Sequence, residues 1–203
     1  MADLNKILTG LKVARKNEFL PYLEKELKKF SDENIARFLA NCLLESGMFN
    51  TLRESMYYTT ADRLKAIYPS VFVKLGYNPN NYLKNTQKLA NLVYDTRIAP
   101  NAKYLGNTQD GYGFAYRGGG LIQITGRYNY LKMSQDTKVD FIKKPELIEQ
   151  PEYAVKSAIW FWNSNKLSDK STPEQTRKAV KGSITKDDYN QFYNLYLKVK
   201  SFM

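Results

Sequence analysis

Two glutamates, Glu45 and Glu54, are the side chains in this sequence best suited to paired acid–base chemistry. Hydrolysis of a glycosidic bond uses one carboxylic acid to protonate the leaving oxygen and one carboxylate on the opposite face of the sugar. Inverting enzymes hold the two groups about 6.5–9.5 Å apart, which leaves room for the attacking water. Glutamates nine residues apart are common by chance, so the spacing alone is weak evidence.

The local sequence suits each glutamate to a different role. Glu45 follows two leucines at the end of a predicted helix. Apolar neighbours and the negative end of the helix dipole favour the protonated form that a general acid needs. Glu54 lies in a polar stretch beside Arg53 and Ser55, which favours the charged form that a general base needs. A solvated glutamate near a helix end is the alternative interpretation of Glu45.

The sequence contains no histidine. Ser–His–Asp and Cys–His hydrolases would lack their general base, and zinc amidases and peptidases would lack their usual ligand. No dense cluster of Asp and Glu suggests a carboxylate metal site, so we expect neither a metal nor another cofactor. A carboxylate pair is the simplest remaining route to acid–base hydrolysis. Cys42, the single cysteine, lies on an apolar helix face and is expected to be buried and inert.

The most unusual stretch of the chain is a glycine-rich segment, residues 116–130 (YRGGGLIQITGRYNY). Three consecutive glycines allow the backbone to approach a ligand closely. The amides and tyrosines of the segment suit sugar hydroxyls and sugar rings. A phosphate-binding loop is excluded because no Gly-Lys-Ser/Thr follows. A structural tight turn is the alternative.

Helical periodicity runs through nearly the whole chain and would position these residues. The clearest helix has apolar residues at positions 35, 38, 39, 42 and 43, with Ser31 as its N-cap and Gly47 at its end. Thr59 or Thr60 is predicted to cap a short helix that Pro69 stops. Further helices are predicted over residues 4–11, 19–30 and 86–94, and in three segments that open at Pro151, Ser171 and Thr185. Residues 95–116 are polar and aperiodic, which predicts a long, functional loop.

The composition is that of an ordinary globular protein, with 43% hydrophobic and 25% charged residues. No repeat, linker or wall-binding module is evident, so we expect a single catalytic domain over residues 1–203. No apolar run approaches the roughly 18 residues that span a bilayer, and the N-terminus lacks the order of a secretory signal. We therefore expect no stable membrane insertion. The net charge of +11 favours polyanions: nucleic acid, anionic lipid or an acidic cell envelope.

Five segments, in the same order along the chain, resemble glycoside hydrolase family 19. Residues 38–49 (FLANCLLESGMF) resemble that family's FLAQ-x-x-HESGGF motif, and residues 54–59 (ESMYYT) resemble its ENLNYS. Residues 89–94 (LANLVY) resemble LANRVY, and residues 116–130 resemble YRGRGLIQLTGRxNY. Residues 151–162 (PEYAVKSAIWFW) resemble the later P-x-x-A-x-x-S-A-x-x-FW helix. The version with a TGR segment and no secretion signal is similar to phage and prophage endolysins more than to plant chitinases.

The resemblance implies a mainly α, lysozyme-like fold in which two lobes flank a substrate groove, and an inverting mechanism. It gives Glu45 the general-acid position and Glu54 the general-base position. It gives Thr125 the position of the hydroxyl that helps to hold the attacking water. The implied substrate-binding residues are Tyr116, Arg117, Gln123 and Asn129.

Four residues depart from the family's pattern. Leu44, Met48, Gly119 and Lys181 stand where the family has a histidine, a glycine, an arginine and an asparagine. These changes leave the acid and the base in place but alter the expected substrate subsites. Chitin and peptidoglycan therefore both stay open as substrates.

The assisting hydroxyl has two candidates. Thr60 follows Glu45 by 15 residues, and the resulting E-x8-E-x5-T spacing resembles another phage lysozyme family with E-x8-D-x5-T. Capping of a helix explains Thr60 without a catalytic role. We therefore favour Thr125.

These features predict a monomeric endolysin that hydrolyses the β-1,4 bonds of peptidoglycan glycan strands, as a muramidase, for host cell lysis. It would stay in the host bacterial cytoplasm and reach the cell wall after release through a permeabilised inner membrane. The alternatives are a chitinase and a non-catalytic glycan-binding protein, the latter motivated by Leu44, Gly119 and Lys181. Binding to nucleic acid is disfavoured because the basic residues are scattered and no recognition module is present.

Overall fold

The structure, a computed structural model, describes residues 2–203, and these residues are mainly α-helical, as predicted. The α-helices are α1 Leu4–Gly10, α2 Lys16–Glu26, α3 Asp32–Glu45, α4 Ala61–Ile67, α5 Thr86–Val93, α6 Tyr112–Ala115, α7 Arg127–Thr137, α8 Pro151–Ser164, α9 Pro173–Lys181 and α10 Lys186–Ser201. The 3-10 helices are Leu27–Lys29, Pro79–Tyr82, Pro100–Ala102, Pro145–Glu149 and Leu167–Asp169, and a π-helix covers Ser70–Lys74. Between residues 2 and 203, extended pairing is limited to two isolated antiparallel bridges, Arg53 with Gly119 and Gly119 with Ile124.

Three predicted helix caps are confirmed. The hydroxyl groups of Ser31, Thr60 and Thr185 each accept a hydrogen bond from the backbone N–H three residues later, at 3.3, 3.4 and 3.2 Å. Each hydroxyl satisfies one of the donors that the first turn of a helix leaves unpaired. Pro151 and Pro173 occupy first-turn positions, where no N–H is needed.

The prediction of a long loop over residues 95–116 is wrong in part. This stretch contains the 3-10 helix Pro100–Ala102 and the four-residue helix α6. The backbone N–H of Phe114 in α6 donates to the side-chain oxygen of Asn91 in α5, at 2.7 Å. Gly113 packs so closely on α5 that an added Cβ would lie 2.4 Å from the carbonyl oxygen of Ala90. Tertiary contacts therefore set α6, and the local sequence does not encode them.

An ion pair fixes the start of the same stretch. The side chain of Asp95 is 6% exposed and accepts hydrogen bonds from the backbone N–H and the guanidinium of Arg97, at 2.7 and 2.6 Å. These hydrogen bonds from Arg97 hold the pKa of Asp95 below its usual value, although burial opposes them. The ionised form of Asp95 therefore stabilises this turn.

The chain divides into two compact units by its internal contacts. Unit 1 comprises the residues up to Leu52, Gly120–Gln123 and Ile148–Met203, and unit 2 comprises Arg53–Gly119 and Ile124–Leu147. The single catalytic domain that we expected stays a prediction. None of the helices within residues 2–203 has the length and hydropathy that crossing a membrane requires.

Each unit has its own hydrophobic core. In unit 1, α10 packs on α3 and α2 packs on α8, and the ring of Phe38 meets Trp162 edge-on at 5.3 Å. Cys42 is fully buried in this core, as expected, and burial raises the pKa of its thiol. In unit 2, Leu64 and Leu89 are fully buried, and partly buried tyrosines pack against this smaller core. The core of unit 1 thereby supports the end of α3, where Glu45 lies, and unit 2 contains the segment with Glu54, which follows Arg53.

Candidate active site

Glu45 is the last residue of α3, and an ion pair holds its carboxylate. Arg177 in α9 donates from Nη1 to Glu45 Oε1 at 2.6 Å and from Nη2 to Asp188 Oδ1 at 2.7 Å. The side chains of Arg177, Glu45 and Asp188 are 1%, 14% and 23% exposed. One buried guanidinium therefore joins carboxylates from α3 and α10. The neighbouring sequence indicated apolar surroundings for Glu45, but the structure adds the positive charge of Arg177. Arg177 lies 132 positions away in the sequence, so the residues next to Glu45 give no sign of it.

Glu54, by contrast, is held by uncharged donors. The phenol of Tyr94 lies 2.9 Å from Oε1 and 2.8 Å from Oε2 of Glu54, and the backbone N–H of Gly118 donates to Oε2 at 3.3 Å. Burial and the negative charge of Glu54 both raise the pKa of Tyr94, so Tyr94 stays a neutral donor. Two elements of unit 2, the end of α5 and the glycine-rich segment, thus fix one carboxylate.

The backbone beside Glu54 is fixed by the first glycines of the glycine-rich segment. The N–H of Glu54 donates to the carbonyl of Gly118 at 2.9 Å, and Arg53 forms an antiparallel bridge with Gly119. The guanidinium of Arg53 donates to the Tyr130 hydroxyl at 2.9 Å and to the carbonyl of Ala115 at 2.6 Å. The sequence suggested that Arg53 helps to keep Glu54 ionised, which stays a prediction. The structure shows that Arg53 ties together the segments around Glu54.

Packing explains why one residue of the glycine run, Gly120, is a glycine. Its φ of +73° favours glycine, and an added Cβ would lie 2.7 Å from Ser157 Oγ and 3.1 Å from Ile148 Cγ1, all within unit 1. At this position the structure supports the alternative of a tight structural turn. Because Gly120 has no side chain, its backbone can pack closely against Ser157 of α8.

The predicted substrate amides both make backbone hydrogen bonds. Gln123 in unit 1 donates from Nε2 to the carbonyls of Thr51 and Gly120 at 3.2 and 3.0 Å. Asn129 in unit 2 donates from Nδ2 to the carbonyl of Thr125 at 2.8 Å, within the first turn of α7. Gln123 and Thr125 are half-buried. These bonds orient the amides, and their contact with sugar stays a prediction.

Tyr116 and Arg117 belong to unit 2 together with Glu54. Tyr116 is 4% exposed, and its hydroxyl donates to the carbonyl of Ile142 at 3.1 Å. Arg117 stacks on the ring of Phe114, and its Nε donates to the backbone carbonyl of Glu54 at 3.2 Å. Tyr116 thus has a packing role, and Arg117 braces the backbone at Glu54. Their predicted contact with substrate is untested.

Sequence reasoning missed Arg177, Asp188 and Tyr94 as partners of the two glutamates. Nothing local points to Arg177 or Asp188, because both act across long stretches of chain. Tyr94 did carry a signal, since it ends the LANLVY segment that resembles the family. Residues 2–203 hold no group of three or more Cys, Asp or Glu side chains arranged to bind a metal ion.

Comparison with known proteins shows which family the chain resembles. A family model described as chitinase class I, of glycoside hydrolase family 19, matches residues 93–188. A family 19 domain-containing protein of Haemophilus influenzae is 28% identical over 152 residues, which are 73% of this chain and 70% of that protein. An endochitinase of Pisum sativum is 36% identical over 80 residues, 39% of this chain and 21% of that protein.

Solved structures support the fold. A mutant of chitinase C superposes with a TM-score of 0.63 at 18% identity, covering 99% of this chain and 76% of the other. Chitinase C from Streptomyces griseus gives a TM-score of 0.54 at 20% identity, covering 96% and 68%. The family-model match and the Haemophilus influenzae relative confirm the resemblance to glycoside hydrolase family 19, and the chain is a glycoside hydrolase. The solved structures show that it has the mainly α fold of their chitinases. The model match begins after Glu45 and Glu54, so the roles of these two residues stay predictions.

Proposed function

We propose that this glycoside hydrolase is an endolysin that cleaves the β-1,4 bonds of peptidoglycan glycan strands as a muramidase. The observation that carries the proposal is that the two glutamates with the family's acid and base positions are each oriented by partners in their own unit. Arg177 holds Glu45, and Tyr94 with Gly118 holds Glu54. Orientation of both carboxylates is what a two-carboxylate hydrolysis requires.

The proposed reaction is a single inverting displacement. Glu45 donates its proton to the glycosidic oxygen as the bond from that oxygen to the anomeric carbon breaks. Water attacks the same carbon from the opposite face, and Glu54 takes its proton. The hydroxyl of Thr125 helps to hold this water. Arg177 then stabilises the carboxylate that Glu45 becomes when its proton has left.

The charge distribution supports peptidoglycan over chitin as the substrate. Unit 2 carries 14 Lys and Arg against seven Asp and Glu, whereas unit 1 carries 17 against 13. A chitin strand is uncharged, but a bacterial wall carries carboxylates on its peptide stems. A basic unit that holds the general base therefore suits the acidic polymer. We further propose that the enzyme acts as a monomer after release from the host cytoplasm through a permeabilised inner membrane.

Digestion of purified sacculi tests the proposal, with mass spectrometry of the soluble products. We expect muropeptides with new reducing-end N-acetylmuramic acid. Glu45→Gln and Glu54→Gln should abolish their release, while Glu24→Gln, the same change at an exposed position of α2, should leave it intact. Full activity in either of the first two variants would falsify the assignment of roles.

Chitin cleavage is the second candidate, favoured by the names of the endochitinase relatives and by the description of the family model. Parallel digestion of colloidal chitin separates the two substrates. Release of chito-oligosaccharides without muropeptides would identify chitin, and not peptidoglycan, as the substrate. Binding to sacculi without any sugar product would instead support a non-catalytic glycan-binding protein.

A further inference from the structure

A tyrosine hydroxyl of unit 2 lies on the Glu54 carboxylate. Tyr94 contacts both carboxylate oxygens, at 2.9 and 2.8 Å. A phenol has one proton to donate, and an ionised carboxylate can only accept. The phenol of Tyr94 therefore uses its proton on Glu54.

We propose that Tyr94 is the positioning residue of the general base. The inference rests on the proposed role of Glu54 as the base and adds that the base must be oriented by Tyr94. A single phenol set between the two oxygens of a carboxylate restricts its rotation about the terminal side-chain bond. One oxygen of Glu54 is thereby presented in a fixed direction for the proton of the attacking water.

Tyr94 itself is held at several points. Its backbone N–H donates to the carbonyl of Ala90 at 3.1 Å as the C-cap of α5, and its carbonyl accepts from Asn107 Nδ2 at 2.9 Å. Asn107 is fully buried. The phenol therefore projects from a fixed backbone, which limits the movement of the Glu54 carboxylate that it holds.

Two neighbouring tyrosines are also packed in place. The rings of Tyr58 and Tyr68 meet edge-on at 6.1 Å, and Tyr68 meets Phe72 at 6.5 Å. Burial, followed by the nearby Tyr94 and Glu54, raises the pKa of Tyr68. Tyr68 therefore stays neutral and adds no negative charge near Glu54.

The donors that meet Glu54 are neutral or act on its backbone. Tyr94 reaches the carboxylate from α5, the N–H of Gly118 reaches it from the glycine-rich segment, and Arg117 donates to the backbone carbonyl. A neutral donor orients the carboxylate and leaves it its full negative charge, which the base uses to take a proton.

Tyr94→Phe tests the proposal on whichever glycan the wild-type enzyme cleaves. We expect kcat to fall by about 100-fold, the cost of a reacting group that is misplaced by about 1 Å, with KM within about twofold. Tyr82→Phe is the matched control: it removes the same oxygen from a partly buried tyrosine of unit 2 that packs on Phe72 and Tyr77.

The outcomes separate this inference from the proposed function. If the wild type cleaves neither sacculi nor chitin, the proposed function fails. If the wild type is active and Glu54→Gln is inactive, but Tyr94→Phe keeps its kcat, Tyr94 does not position the base. Should Tyr94→Phe fail to fold, a crystal structure of the wild-type enzyme with a bound substrate analogue should show the Tyr94 hydroxyl within hydrogen-bond distance of Glu54. A separation beyond about 3.5 Å from both carboxylate oxygens would overturn the proposal.

Discussion

Replacement of Arg177 by methionine is expected to destabilise the protein by about 3–5 kcal/mol at neutral pH, the range for removing one partner of a buried ion pair. Methionine fills much of the space of the arginine stem but carries no charge. The guanidinium is 1% exposed and makes hydrogen bonds of 2.6 and 2.7 Å to Glu45 and Asp188, which are 14% and 23% exposed. Because all three side chains lie largely out of water, solvent screening reduces the loss little, and two carboxylates are left without their shared cation.

Urea unfolding followed by tryptophan fluorescence measures this loss, and the neighbouring residue provides the control. Lys178 follows Arg177 in α9 and forms an ion pair with Glu174 at 2.8 Å, but the side chains of this pair are 56% and 47% exposed. Lys178→Met should therefore cost less than about 1 kcal/mol. Equal and small losses in both variants at pH 7 would refute the structural role of the cluster.

Three further predictions concern stability and the assisting hydroxyl. Gly120→Ala should lose clearly more free energy of unfolding than Gly76→Ala, because both have φ near +72° but an added Cβ at Gly76 meets nothing within 4 Å; equal losses would contradict the packing argument. Thr60→Ala should lose about 1 kcal/mol of stability through its helix cap and keep its kcat, whereas Thr125→Ala should lose kcat; the reverse would make Thr60 the assisting hydroxyl. Asp95→Asn should lose about 1 kcal/mol at pH 7, where the ionised hydrogen-bonded carboxylate is present. Since the pKa of folded Asp95 lies below its unfolded value of about 4, the wild-type advantage should begin to fall below that pH and be lost as the pH drops through the lower pKa of the folded carboxyl; an advantage that does not fall with pH would contradict the ion pair.

Sequence patterns predicted the parts of the fold that local interactions determine. Ser31, Thr60 and Thr185 were identified as caps because a capping hydroxyl acts three residues along the chain. The helix α6 was missed because its support comes from Asn91 in another helix. The helix α7 was also not predicted, because it begins inside a segment whose glycines indicated irregular structure. Local patterning therefore located most helices, but not those that tertiary contacts or a preceding glycine define.

The candidate site divides in the same way. Glu45 and Glu54 could be identified from residue type, the absence of histidine and resemblance, all of which are properties of the sequence. Their partners could not, because Arg177 is 132 residues from Glu45 and Tyr94 is 40 residues from Glu54. No periodicity or motif spacing reports such pairings. The structure thus changes the account of how each carboxylate is held more than it changes which carboxylates are proposed to react.

The difference between the two partners fits the roles that the resemblance implies. A general acid becomes an anion when it gives up its proton, and a buried guanidinium such as Arg177 stabilises that anion at the moment it forms. A general base must keep its negative charge until it accepts a proton from water, and the neutral phenol of Tyr94 orients Glu54 without supplying an opposing charge. The contacts on Glu45 and Glu54 agree with the acid and base roles, and the assignment itself rests on the resemblance.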